Sequence, residues 1–215
     1  MHTRRFLALT MAACAASLAL LAAGCGDDDD DAGAGTTTEA AAPLAIEERV
    51  IADGLAGLQP TGDVRTVSSP EDFTEAVDDD EPAEEISALE QAGFQEAAVV
   101  QYGDERSGFG ISAAIEFADD QGAQSQLQRI FEEDVASDLP PGAEQGELSG
   151  VPGSRFVRAT GDEGGQSFAF GSVFFTDGPF LYGQLAGGPE GEVDLDALED
   201  QVRDLYERVE GRPAP

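Results

Sequence analysis

The plainest rhythm in this chain runs from Phe109 to Phe117, where Phe109, Ile111, Ala113, Ile115 and Phe117 alternate with Gly110, Ser112, Ala114 and Glu116. A period of two puts one set on a common side, so this run predicts a strand with one apolar face. Glu96 to Tyr102 predicts the strand before it, and the polar stretch Gly103 to Gly108 predicts the hairpin loop between them. Ser154 to Thr160, Gln166 to Thr176 and Phe180 to Ala186 predict three more strands, turning at Gly161 to Gly165 and at Asp177-Gly178-Pro179.

Elsewhere the spacing is helical. Pro82 to Gln91 predicts a helix: Pro82 suits a first position, Ile86 and Leu89 share a face, and Gly93 stops the run. Asp119 to Val135 predicts a second, with Ala123, Leu127, Ile130, Phe131 and Val135 on one stripe. Asp194 to Glu210 predicts the last, lined by Leu195, Leu198, Val202, Leu205 and Val209 and ended by Gly211 and Pro213. Glu71 to Val77 reads as a helical turn, Asp78 to Glu81 as an exposed loop, and Pro140-Pro141-Gly142 as a break; Leu44 to Val50 and Val64 to Val67 are short elements. Together these predict one α+β domain over residues 44–215, an antiparallel sheet of about five strands with helices packed mainly on one face. The stretches opening at Val100 and Val157 each pass through Gly-Asp-Glu into strand and helix. They read either as two hairpin-plus-helix units or as the ordinary recurrence of elements in an α+β domain.

The N-terminus follows another pattern. Met1 to Arg5 is basic, Phe6 to Leu21 carries no charge, and Leu21-Ala22-Ala23-Gly24-Cys25 follows. A basic start, a short apolar run and small residues at the cut describe a secretory signal, and the run is shorter than the roughly 20 residues a membrane helix needs. The five residues ending in Cys25 resemble the lipobox of bacterial lipoproteins, with Ala22 where leucine is commonest. That resemblance implies a signal peptide over 1–24, cleavage after Gly24, a diacylglyceryl group on the Cys25 thiol, and attachment to the outer side of the cell membrane. Cys14 also follows small residues, but a cut there leaves too short an apolar run. Asp27 to Asp31 cannot enter hydrocarbon and mark where the chain leaves the membrane. Two acyl chains meet the requirement for stable anchoring. Residues 25–43 have no large apolar residue and read as a disordered tether, spanning about 25 Å. Thr3-Arg4-Arg5-Phe6-Leu7 reads first as a basic start and only loosely resembles a twin-arginine export signal. In outline the folded part is similar to small extracytoplasmic lipoprotein domains of high-GC Gram-positive bacteria.

Composition narrows the chemistry. Cleavage before Cys25 removes His2, Met1, Met11 and Cys14, and the chain has no Lys and no Trp. Nothing in the mature chain then builds a Ser-His-Asp or Cys-His site, a Schiff base, a P-loop, or a zinc, haem or iron–sulfur centre. We therefore expect no cofactor, no metal and no enzyme, although carboxylate pairs still hydrolyse glycosides. Without Arg4 and Arg5 the mature chain has 44 acidic and 9 basic residues, a charge of −35, which repels nucleic acid. Asp78-Asp79-Asp80-Glu81 lacks the glycine of a calcium loop, and Asp194, Asp196 and Glu199 read as the acidic start of a helix.

Gly108-Phe109-Gly110-Ile111-Ser112-Ala113 has the form of a dinucleotide loop, but it opens a strand where such a loop opens a helix. Arg155 and Arg158 fall on opposite strand faces, and Ser167 and Ser172 have no base to activate them. Phe168, Phe170 and Phe174 share a face and Phe175 takes the other, so helices on one side leave Phe175 or Leu181 open to an apolar ligand or a partner protein. The expected function is a lipid-anchored, non-catalytic binding or adaptor domain at the cell envelope. A carrier of an apolar small molecule and a carboxylate-based hydrolase are the alternatives.

Overall fold

The computed structural model describes residues 42–78, 82–104, 108–135, 142–163 and 166–213. The expected signal peptide over 1–24, Cys25 and most of the expected tether lie outside the described residues. So do Asp79 to Glu81, the middle of the Gly103–Gly108 loop, Pro140-Pro141 and the tip of the Gly161–Gly165 turn.

After a 3₁₀ turn at Ile46–Arg49 the elements are β1 (Arg65–Val67), α1 (Pro70–Val77), α2 (Pro82–Ala92), β2 (Phe94–Asp104), β3 (Gly108–Phe117), α3 (Asp120–Arg129), β4 (Glu144–Gly146), β5 (Arg155–Glu163), β6 (Gln166–Asp177), β7 (Phe180–Pro189) and α4 (Leu195–Val209). The starts of α1, α3 and α4 are set by short polar caps. Ser69 Oγ accepts from the Asp72 N–H, Asp119 from Gly122, and Asp194 from Asp196 and Ala197. The expected helix over 119–135 is α3 followed by a π-helical turn at Ile130–Val135.

The seven strands form one antiparallel sheet in the order β1-β2-β3-β7-β6-β5-β4. Seven replaces the expected five because β1 and β4, three residues each, cap the two edges. Short edge strands limit the unpaired backbone that invites edge-to-edge association.

Helices cover both faces, which corrects the expectation of one. On the first face α4 lies with the N-terminal segment over Ala98, Val100, Ala114, Ala169, Val173, Phe175 and Tyr182. On the second, α1, α2 and α3 lie over Ala97, Val99, Ala113, Ile115, Phe117 and Leu181. The physical reason is visible in β2, where Ala97, Ala98, Val99 and Val100 are all buried: a strand apolar on successive residues has no wet side. The two hairpin-plus-helix stretches share the sheet but back it from opposite sides, with α3 on one face and α4 on the other.

Small residues set how closely the layers approach. A Cβ on Gly171 would sit 2.9 Å from Leu195 Cδ2 and 3.1 Å from Leu198 Cδ2, so its absence lets α4 rest on β6. At Gly122 a Cβ would run into the carbonyl oxygen of Ala92, where the first turn of α3 meets the end of α2. Alanine is the better helix former by about 1 kcal/mol, yet Gly122→Ala should destabilise the protein by about 2 kcal/mol through overpacking. Denaturant unfolding of the two proteins checks this.

Candidate functional site at the pole opposite the chain ends

Arg49 fixes where the first and last described stretches of the fold meet. Its side chain is fully buried, although arginine is normally a surface residue. Nε donates to Leu44 O (3.2 Å), Nη1 to Tyr182 Oη (2.9 Å), and Nη2 to Arg212 O (2.8 Å) and Pro213 O (2.6 Å). The guanidinium lies 3.8 Å from the centroid of the Phe180 ring. Leu44 N–H also donates to Pro213 O (3.4 Å), so both ends of the fold meet at one side chain. Burial pushes the Tyr182 phenol up to about 12, with the Arg49 charge opposing.

Arg49 has acidic neighbours at longer range. Burial raises the Glu116 carboxyl, Glu96 across the strand pair raises it further, and Arg49 opposes. Burial also raises Asp177, against the Gly211 N–H and Arg49, while Glu210 and Asp120 push the same way as burial.

These groups lie where β6 turns into β7 and β3 ends. The other pole carries the end of β7 and the start of β3, about 30 Å away along a ten-residue strand. Two features are found there. On the second face, Phe109 is 40% exposed, the large apolar residue most open to solvent among those described. Its ring lies with that of Phe168 over bare Gly187, where a Cβ would be 2.9 Å from Phe109 Cε1 and 3.2 Å from Phe168 Cζ. Phe168 and Phe170 are half-buried and belong to neither core cluster. At the edge of β2, where Gly103 N–H donates to Gln59 O and Thr61 N–H to Gln101 O, is an open depression of about 340 Å³ lined by Gly57, Leu58, Gln59, Pro60, Thr61, Gly103 and Glu192.

Beside that depression a strap crosses the sheet. Leu55 and Leu58 exchange backbone hydrogen bonds of 3.1 and 2.8 Å around Ala56 and Gly57. Both central residues are left-handed, with φ of 52° and 85°, as in a two-residue hairpin turn that favours Asn-Gly. Alanine there costs about 1 kcal/mol. Beneath the strap, on one sheet face, are Tyr102, Ser112 and Gln184, all buried. Ser112 and Gln184 are cross-strand partners, and Tyr102 faces Gly110 one position along. Ser112 Oγ accepts from the Ile51 N–H (2.9 Å). Tyr102 Oη and both amide atoms of Gln184 have no hydrogen-bond partner among the described residues. Burial raises the Tyr102 phenol strongly. Ser112 is near enough to oppose that shift and Asp53 adds to it, but no hydrogen bond of normal geometry joins Tyr102 to Ser112.

The residues singled out from the sequence are dispersed. Phe175 and Leu181 are fully buried, one on each face, which overturns the expectation of an open face there. Phe175 stacks on Tyr182 at 4.5 Å and meets Tyr206 edge-on at 5.6 Å. Gly108 to Ala113 lie in β3, a strand start with no phosphate loop. Arg155 lies 5.9 Å from the Phe131 ring on one face, and Arg158 pairs with Asp196 (2.6 Å) and Glu199 (3.6 Å) on the other. Ser167 donates to Asp162, and Ser172 is buried without a partner among the described residues. Asp194 is spent capping α4, and the described residues hold no cluster of metal-ligating side chains. Cys25 lies outside the described residues. Arg49, Tyr102 and Gln184 were missed by sequence reasoning. The one signal available was a polar residue inside an otherwise apolar strand, at Ser112 and Gln184.

No protein-family model matches the chain. No curated protein matches it either. Among solved structures the chain is similar to the extracellular domain of PknH from Mycobacterium tuberculosis, with 15% identity and a TM-score of 0.47, over 77% of this chain and 98% of that one. Likeness at that level says nothing of what this chain binds.

Two predictions come from the Arg49 cluster. Arg49→Met strips the donor from Leu44 O, Arg212 O, Pro213 O and Tyr182 Oη, and should cost about 3 kcal/mol by denaturant unfolding. Glu116 and Asp177 have raised values in the folded state, above the ordinary 4.5 and 3.8. Their contribution is fully present below those ordinary values and is lost as pH rises through the raised ones. The melting temperature should therefore rise as pH falls through the raised values towards the ordinary ones, and Glu116→Gln should shrink that rise.

Proposed function

We propose that this protein is a lipid-anchored, non-catalytic binding or adaptor protein of the cell envelope. It hangs from Cys25 by the 25–43 tether and presents the far pole of its domain to a partner protein. The observation that carries this reading is the separation of the two poles. Leu44, where the tether joins, is bound to the chain end through Arg49, and Phe109 is left uncovered at the opposite end. An exposed aromatic beside half-buried ones is the kind of apolar surface that partner proteins cover.

The partner's chemistry follows from charge. Six arginines are turned to internal use. Arg49 is buried, Arg129 pairs with Glu85, Arg155 lies by Phe131, Arg158 and Arg203 pair with acids of α4, and Arg208 donates to Val50 O. A chain so acidic, with its cations so engaged, favours a partner with a basic segment, associating faster at low salt. The carrier reading has less support, because the aromatics of the β6–β7 hairpin nearest the core, Phe175, Phe180 and Tyr182, are fully buried.

Anchoring is tested by Cys25→Ser, which should move the protein from the membrane fraction to the soluble fraction. Presentation is tested by placing a photo-crosslinking residue at Phe109 or at Glu47, which is exposed beside the tether root. Adducts with envelope proteins should form from position 109 and not from position 47. Equal yields from both positions would count against the reading.

A further inference from the structure

We propose that the strap over residues 53–61 closes a second binding site, on the face opposite Phe109, for a small neutral molecule carrying a carboxamide or lactam group. This goes beyond the partner-binding role. It stands on two observations, the unpartnered buried groups and the strained strap above them.

The unpartnered groups define the chemistry. Gln184 has both Oε1 and Nε2 buried without a partner among the described residues, and Tyr102 Oη is in the same position. Native interiors rarely leave such groups unsatisfied. A ligand that satisfies Gln184 must offer a donor and an acceptor side by side, as a carboxamide or lactam edge does. The hydroxyl of Tyr102 then supplies a third contact. The ligand is neutral: the site is buried, and the Asp53 charge acting on Tyr102 disfavours an anion. Its remainder is apolar, because Leu55 and Leu58 of the strap pack against this part of the sheet and Val100 lies among the polar groups on it.

The strap supplies the entrance. Leu55 Cδ2 and Leu58 Cδ1 each come within 3.3 Å of the point where a Cβ on Gly110 would lie, opposite Tyr102 and two residues from Ser112 on the same strand. The strap is tied to α4 through Gln201, which accepts from Ala56 N–H and donates to Gly54 O (both 2.9 Å), and through Asp194 N–H to Ala56 O (2.9 Å). Left-handed Ala56 between Gly54 and Gly57 makes the turn the strained part of that segment. The depression is walled by Gly57 to Thr61 of the same strap with Gly103 and Glu192, and Tyr102, Ser112 and Gln184 do not line it, so a ligand reaches them only when the strap lifts.

Benzamide is the probe, and amide hydrogen exchange of residues 53–61 in the purified mature protein is the readout. Benzamide at about ten times its dissociation constant should slow exchange at Leu55 and Leu58 about tenfold. In Gln184→Leu, which removes two unpartnered atoms and should fold at least as stably, benzamide should have no effect. Tyr102→Phe, the milder change, should weaken the slowing if the first variant fails to fold. Exchange unaffected by benzamide in the natural protein would overturn the proposal, as would equal slowing in Gln184→Leu. Nuclear Overhauser contacts from the Gln184 side-chain amide to a long-lived internal water, undisturbed by benzamide, would also overturn it, because the polar groups would then hold an internal water only.

Discussion

The buried guanidinium of Arg49 organises this fold. A cation taken out of water without a carboxylate in contact is costly unless its donors are met. Here they are met by three backbone carbonyls and a tyrosine hydroxyl, with an aromatic ring beneath. Those carbonyls come from the first and last described stretches of the chain, and the hydroxyl comes from β7. One side chain therefore fixes the N-terminal turn and the chain end against an inner strand of the sheet, and disrupting any of the three leaves polar groups unpaired in the other two.

That closure also explains the division of the first face. Near the Arg49 pole it carries large aromatics, Phe175, Phe180 and Tyr182, which fill the space beneath α4 and the N-terminal turn. Towards the other pole it carries Gly110, Ala186 and Gly171, and the strap and α4 lie close on the sheet. The second face is divided as well. α1, α2 and α3 cover its β2–β3 side, and Gln126 and Arg129 of α3 reach Glu85 of α2 to join them. The Phe109–Phe168–Phe170 outcrop falls outside both clusters.

Much of this was legible in the sequence. The alternation in Phe109 to Phe117, the stripe in Asp194 to Glu210 and the turn at Asp177-Gly178-Pro179 each correspond to a single element within a few residues. What escaped has identifiable causes. β4 is Glu-Gln-Gly, with no apolar residue to mark it, and β1 is only three residues long. The second covered face was hidden in part because Ala97 and Ala113 on the sheet and Ala76 and Ala123 on the helices give a weak apolar signal, although the unbroken run Ala97 to Val100 carried it. Arg49 was unreadable because its burial depends on carbonyls more than 160 residues away, a tertiary circumstance that no local period records. Phe175 and Leu181 were expected to be open because a one-sided sheet was assumed; once both faces are covered, alternation leaves neither residue outside.

The most direct test is native-state hydrogen exchange at the two ends of the fold, at the Leu44 amide and at Gly211 and Arg212. If Arg49 makes the ends one unit with β7, these amides should exchange only with global unfolding, with the same denaturant dependence as the amides of β7. Free exchange at the ends while β7 stays protected would show that they fray independently, and would contradict the account.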